Sequence, residues 1–198
     1  MIITISREYG AGGHSIGKKV AEALGIEIYD KDIVRETVAS SGLEEQLVKK
    51  EEEERSTAEN IWRIISSYSG PTYNDTQDEI HELQKAIILK FAKKGPCVVI
   101  GRCADVILKE AGFETLNVFI YADDVHCAMR ASEMNDMKNA TELKKLMDKK
   151  NASRQAYYHH YTGKKWGDAR NYDLALNSGT LGYDQCVKMI VDAYNNAQ

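Results

Sequence analysis

The chain has 198 residues, of which 43% are hydrophobic and 28% are charged, and its formal net charge is −4. These values are typical of one globular domain with a buried core, and they give no support to a nucleic-acid binder with a broad basic surface. The chain opens with no secretory signal pattern and contains no apolar run of about eighteen residues. We therefore predict a cytoplasmic protein with no nucleic-acid and no membrane partner.

Strand and helix patterns alternate along the chain. Apolar runs predict buried strands at residues 2–6, 26–29, 97–100 and 116–121, and a weaker one at 173–177. Helical periodicity follows at 15–24, at 80–92 and at the C-terminus. This order predicts an α/β domain in which helices cover both faces of a parallel sheet.

Two long segments interrupt the alternation. Residues 42–75 begin with a polar stretch that includes the charged run from Lys49 to Arg55. This segment is either a solvated helix with i,i+4 charge pairs, an arm that folds over a substrate, or a dimer surface. The second segment, 141–171, is rich in lysine, arginine, tyrosine and histidine, and it lies between the fourth and fifth predicted strands.

A glycine-rich turn joins the first strand to the first helix. Backbone N–H groups that converge in such a turn, together with the positive end of the helix, favour phosphate binding. A match to the pattern G-x-x-x-x-G-K-[ST] can be started at Gly12, with Lys18 as its lysine. This register leaves about five residues between the strand and the loop, and it removes Ile16 from the apolar stripe of the helix. We therefore reject it.

The register that we prefer starts at Arg7. Gly13 then occupies the lysine position. His14 follows it, and Ser15, one residue later, supplies the hydroxyl that we expect to meet Mg²⁺. The backbone cradle remains, but its ammonium group is missing, and Arg7 and His14 are the nearest other cations. The alternative is a turn with only a structural role. The candidate phosphate-binding residues are Arg7, Gly10, Ala11, Gly12, Gly13, His14 and Ser15, and the candidate metal ligand is Ser15.

The segment from Ser6 to Gly13 resembles the opening of the cytidylate kinase-like family, in which the lysine is also absent. Shorter matches at 98–102 and 172–178 resemble the ends of the third and last strands. The resemblance covers most of the chain and implies the P-loop fold of nucleoside monophosphate kinases, with a five-stranded parallel sheet. It implies one domain, 1–198, in which 42–75 is a helical insert on the acceptor side and 141–171 is a lid.

The resemblance also implies an activity. Kinases of this kind transfer a phosphoryl group from ATP or GTP to a nucleoside monophosphate, here most plausibly CMP or dCMP, with Mg²⁺ bridging the donor phosphates. In resemblance terms, Asp30 begins the acceptor site, and Arg102 and Asp105 face the cytidine monophosphate.

The carboxyl ends of parallel strands meet at one edge of a sheet, where ligands bind. The glycine-rich turn, Asp30, Arg102 and Asn177 each follow a predicted strand, so we expect them to face one site. Arg102 either binds a phosphate or pairs with Asp105. Asp30 either holds the acceptor or caps the next helix. Arg35 either contacts the acceptor phosphate or lies on the surface.

Within the segment 141–171, Arg154 stands at helical spacing from Lys150 and Tyr158. A cation on that face can supply charge that the missing lysine does not. The alternative is a basic surface helix. We predict Arg102, Arg154 and Asp30 as catalytic residues. A nucleotide-binding sensor with little catalysis and a kinase of another small acceptor remain alternatives, and homo-oligomerisation stays open.

Overall fold

The computed structural model describes residues 1–30, 33 and 75–197. Arg35 and almost all of the segment 42–75 lie outside the described residues, so the alternatives for both remain predictions.

The sheet has five parallel strands. They are β1 (Ile2–Arg7), β2 (Glu27–Tyr29), β3 (Cys97–Ile100), β4 (Thr115–Tyr121) and β5 (Leu174–Asn177). Their order across the sheet is β2-β3-β1-β4-β5, and every neighbouring pair is parallel. The predicted fold class is confirmed. β1 lies at the centre, so the loop that follows it emerges in the middle of the carboxyl edge.

Helices connect the strands. The described ones are α1 (Gly13–Leu24), α2 (Asp75–Ala92), α3 (Ala104–Glu110), α4 (Asp124–Asn135), α5 (Ala140–Thr162), α6 (Ser178–Leu181) and α7 (Tyr183–Asn196). The segment predicted as a lid consists largely of α5, whereas α3 and α4 had no counterpart in the sequence prediction. In the part of the chain that the structure describes, no helix is long and apolar enough to cross a membrane.

The core lies on both sides of the sheet. Ile3 and Ile5 of β1 point to the face covered by α1 and α7, where Ile16 and Ile190 are fully buried. Ile2 points to the other face and belongs to the cluster formed with α2 and α3. Because strand side chains alternate between faces, one apolar strand supplies both clusters.

Candidate functional site

The glycine-rich turn is built between the end of β1 and the start of α1. Gly10 and Gly12 have φ angles of 88° and 79°, in the left-handed region that glycine adopts without strain. A Cβ atom at Gly10 would overlap the backbone of Cys127, and one at Gly12 would overlap the ring of Tyr183. Both glycines are therefore required by backbone conformation and by space.

The start of α1 bears on the register of the loop. The helix begins at Gly13, so Ile16 belongs to it and is fully buried. The Lys18 side chain is 65% exposed, and its Nζ lies 3.8 Å from a carboxylate oxygen of Glu22 on the surface of the helix. This geometry agrees with the loop that begins at Arg7.

A buried hydroxyl from another part of the chain is hydrogen-bonded to the loop. Ser178, the first residue of α6, donates a hydrogen bond of 2.7 Å to the carbonyl of Ala11. The neighbouring Asn177 caps α6, because its side-chain oxygen accepts from two backbone N–H groups of that helix, each at 3.1 Å. Asn177 thus positions the serine that supports the loop, and it is not among the residues that line the cleft described next.

A cleft opens beside the loop, over the carboxyl ends of the strands. Its empty volume is about 790 Å³, which includes the open space at its mouth. Among the described residues, its wall combines four cations, one carboxylate and three aromatic rings, contributed by Arg7, Arg102, Lys150, Arg154, Asp30, Tyr157, Tyr158 and Trp166. The three predicted catalytic residues, Arg102, Arg154 and Asp30, therefore lie around one cleft.

Asp30 is the carboxylate of the cleft. One of its oxygens lies 2.8 Å from Nδ1 of His14, and the other lies 3.9 Å from Nη2 of Arg7. Burial alone would raise the pKa of Asp30, but the hydrogen bond with His14 and the charges of Arg7 and Arg102 outweigh it and hold the pKa below its usual value. Asp30 is therefore ionised and orients both His14 and Arg7.

Arg154 reaches the loop from α5. Its Nη1 donates a 2.8 Å hydrogen bond to the carbonyl of Arg7, and its guanidinium carbon lies 5.7 Å from the centre of the Tyr9 ring. Burial, followed by the charge of Arg7, lowers the pKa of Arg154 to about 9. Burial and the charge of Arg154 also lower the pKa of Lys150. An anion between these groups would relieve their repulsion.

A second contact joins α5 to the loop. The side-chain oxygen of Asn151 accepts a 2.8 Å hydrogen bond from the backbone N–H of Tyr9. Asn151 and Arg154 lie about one helical turn apart, so the same face of α5 holds both residues against the loop. Sequence reasoning missed Asn151, although its spacing from Arg154 was a usable signal.

Ser15, the predicted metal ligand, has an arginine as its neighbour. Nη2 of Arg130, on α4, donates a 2.9 Å hydrogen bond to the Ser15 hydroxyl, and the same guanidinium lies 5.6 Å from the centre of the Tyr183 ring. Sequence reasoning missed Arg130, because only the packing of α4 against the loop brings it there. Within the described ranges, no three His, Cys, Asp or Glu side chains are grouped to hold a metal ion.

Asp105 lies below the wall of the cleft. The Tyr158 hydroxyl donates a 2.6 Å hydrogen bond to its carboxylate, which is buried beneath α5. Burial raises the pKa of Asp105 despite this hydrogen bond. Asp105 therefore anchors Tyr158 and α5, whereas Arg102, three residues earlier, lines the cleft.

Side chains of α2 hold Tyr157 in the wall of the cleft. Its hydroxyl lies 2.7 Å from Nδ1 of His81 and donates to the side-chain oxygen of Gln84 at 3.1 Å. Burial lowers the pKa of His81 to about 4, so this histidine is neutral near pH 7. Sequence reasoning missed this cluster, since its members are 73 and 76 residues apart in the chain.

Together, the strand order, the glycine loop between β1 and α1, and the cleft beside it match the fold of the P-loop kinases. A family model for the cytidylate kinase-like family matches residues 2–180, and the chain belongs to that family. Family and fold support phosphoryl transfer as the class of reaction. Among curated proteins, no sequence matches the chain.

Solved structures share the fold. An uncharacterised protein from Eubacterium ventriosum ATCC 27560 is 26% identical, with a TM-score of 0.72 and 98% of each chain covered. A gluconokinase from Sinorhizobium meliloti 1021 is 17% identical, with a TM-score of 0.58 over 98% of this chain and 91% of its own. A shikimate kinase from Acinetobacter baumannii, in complex with shikimate, is 12% identical, with a TM-score of 0.55 over 100% of this chain and 94% of its own.

Proposed function

We propose that the protein transfers the γ-phosphoryl group of ATP or GTP to a nucleoside monophosphate, with CMP or dCMP as the first candidates. Family membership and the P-loop kinase fold support the reaction class. The acceptor is proposed from the resemblance to cytidylate kinases and from the chemistry of the cleft.

The observation that carries the proposal is the surplus of positive charge in the cleft. Arg7, Arg102, Lys150 and Arg154 surround it, and among its described lining residues Asp30 is the one carboxylate. One carboxylate balances one of these four positive charges, so the lining of the cleft keeps a net positive charge. A phosphate monoester dianion and the transferring phosphoryl group supply the complementary charge.

The residues then divide into four groups by role. Arg102 and Arg154 bind the acceptor phosphate and stabilise the charge that develops on the phosphoryl group during transfer. Asp30 holds Arg7 and His14 in position through the contacts described above. The rings of Tyr157 and Trp166 offer the acceptor base a surface on which to lie. Asp105 and Asn177 position α5 and the loop.

Magnesium fits this site through few protein groups. Mg²⁺ in kinases is held mostly by the phosphates, water and one or two protein oxygens, and when bound it neutralises charge on the donor phosphates. The hydroxyl of Ser15 is such an oxygen, but it accepts a hydrogen bond from Arg130. Ser15 can act as a ligand through its remaining lone pair, and Asp30 through an intervening water.

The test is an ADP-release assay with Mg²⁺ and ATP or GTP over a panel of nucleoside monophosphates, with shikimate and gluconate as further acceptors. We expect turnover with CMP or dCMP. The variant Arg154→Ala should lose at least about 100-fold in kcat/KM, the usual effect of removing one group that stabilises transition-state charge. Arg170→Ala is the matched control, because Arg170 is 89% exposed and pairs with Asp168 outside the cleft. Unchanged turnover in Arg154→Ala would contradict its role.

A second candidate is a nucleotide-binding sensor with little catalysis. It is favoured by the glycine at position 13, where a lysine would assist transfer, and by the bond between Ser15 and Arg130. Measurable ATP binding without turnover of any acceptor would support this candidate over the first. Turnover with shikimate or gluconate alone would instead identify a kinase of another small acceptor.

A further inference from the structure

We propose that Arg7 replaces the P-loop lysine, by a reciprocal exchange between positions 7 and 13 of the loop. The inference rests on the proposed function in one respect, namely that the ligand of the loop is a nucleoside triphosphate. In the usual pattern the first loop position is glycine and the seventh is lysine. In this chain the first is Arg7 and the seventh is Gly13, so one glycine and one cation are kept and their places are exchanged.

The stem of Arg7 excludes a side chain at position 13. A Cβ atom built on Gly13 would lie 2.5 Å from Cβ and 2.7 Å from Cγ of Arg7. The Cβ atom of Arg7 is fixed by the backbone of β1, so it cannot move aside without moving the strand. Gly13 is not among the glycines with a positive φ, so its backbone does not require glycine. Glycine is also the poorer helix former. We infer that residue 13 is a glycine because Arg7 occupies the space that a side chain there would need.

A second glycine makes room for the head of the arginine. A Cβ atom on Gly101, just after β3, would overlap Nη1 of Arg7. The side chain therefore runs from the end of β1, past the N-terminus of α1, to the end of β3, where its guanidinium lines the cleft. Two glycines from separate elements border this path, one at each end of the side chain.

The charge environment of Arg7 is that of a group prepared for an anion. Its side chain is only 17% exposed, and the Asp30 oxygen lies 3.9 Å away, beyond hydrogen-bond distance. Burial lowers the pKa of Arg7, the charge of Asp30 opposes this effect, and the charge of Arg102 adds to it. Of the other cations near the loop, His14 is bonded to Asp30, Arg154 to the carbonyl of Arg7, and Arg130 to Ser15. Among the described residues, Arg7 is the cation whose side chain occupies the space of position 13.

The first experiment measures only stability. It tests whether Arg7 and a side chain at position 13 exclude each other. Gly13→Ala should lower the urea midpoint of unfolding in the wild-type background, because of the clash with Arg7. In the Arg7→Gly background the same substitution should raise the midpoint, because alanine is the better helix former. If Gly13→Ala lowers the midpoint equally in both backgrounds, the exchange is refuted. This readout needs no ligand and no activity.

The second experiment tests whether Arg7 performs the function of the P-loop lysine. It measures Mg-ATP binding by calorimetric titration and the rate of turnover. Arg7→Gly should weaken ATP binding by about 10-fold or more and lower kcat/KM by about 100-fold. The double variant Arg7→Gly/Gly13→Lys restores the usual glycine and lysine, and it should recover at least about 10-fold of either loss. Lys18→Ala, at the surface lysine of the rejected register, should match the wild type.

The outcomes separate the two proposals. An active wild type whose Arg7→Gly variant binds ATP equally well, or whose double variant recovers nothing, overturns the inference and leaves the proposed function standing. A wild type that binds no ATP and phosphorylates no acceptor overturns the proposed function and the phosphate contact of Arg7 with it. The stability cycle then still decides whether the two positions exclude one another.

Discussion

Replacing Gly101 by alanine perturbs Arg7 without changing any charge. Gly101 has a φ of 71°, and its added methyl group would overlap Nη1 of Arg7. An alanine in the left-handed region costs roughly 1–2 kcal/mol, independently of its neighbours. Gly112→Ala is the matched control, because Gly112 has a φ of 79° and no heavy atom within 4 Å of the added Cβ. Both variants should therefore lose similar stability in urea unfolding.

The two variants should differ in ligand binding. The head of Arg7 is flexible and can move away from the new methyl group, but it then leaves its place in the cleft. A hydrogen bond to a charged group contributes about 1.5–3 kcal/mol, so its loss predicts binding of Mg-ATP weakened by about 10- to 100-fold in Gly101→Ala. Gly112→Ala should bind as the wild type does. Equal affinities for the two variants, measured by calorimetry, would show that the position of Arg7 does not matter for phosphate binding.

Three further outcomes are expected. The pKa of His81 is lowered to about 4 in the folded protein and is about 6.5 in the unfolded chain, so stability should fall as the pH drops from about 6.5 toward 4. After solvent screening is allowed for, the loss is about 1–2 kcal/mol, and urea titrations of His81→Phe at several pH values should show a smaller slope than the wild type. Ser178→Ala leaves the buried carbonyl of Ala11 without its donor and should cost about 1–2 kcal/mol in urea unfolding; an unchanged midpoint would contradict the support of the loop. Asn151→Ala frees the N–H of Tyr9 and should tighten Mg-ATP binding by about 2- to 10-fold, whereas weaker binding would assign Asn151 to the ligand.

The central part of the fold could be predicted from sequence because its patterns are strong. The mostly apolar run of β1 reflects burial on two faces, and the apolar stripe of α1 reflects burial on one face. Helix α4 was missed for the opposite reason, since only Cys127 and Ala131 are buried in this helix. A helix with so few buried positions leaves little periodicity in the sequence.

The sequence places a residue at the cleft where that residue closely follows a predicted strand, because the end of the strand then fixes where the residue lies. Asp30 and Arg102 follow strands that end at one edge, and the structure brings both to the cleft. Asp105 and Asn177 also stand near strand ends, but local partners hold them elsewhere, namely the hydroxyl of Tyr158 and the N–H groups of α6. Arg130 depends on how α4 packs, which spacing alone does not encode. The roles of all these residues in catalysis remain predictions.

The hydrogen bond between Tyr158 and Asp105 anchors α5 at a buried point. This buried bond joins the helix to α3, seven residues beyond Asn151 and eighteen beyond the start of the helix at Ala140. At about 1.5 Å per residue, those lever arms are roughly 10 Å and 27 Å long. A tilt of about 10° around Tyr158 would move Asn151 by about 2 Å, enough to break its bond to the loop, and the start of the helix by about 5 Å. A small rotation about this buried bond would therefore release the loop, while the aromatic wall close to it would stay in place.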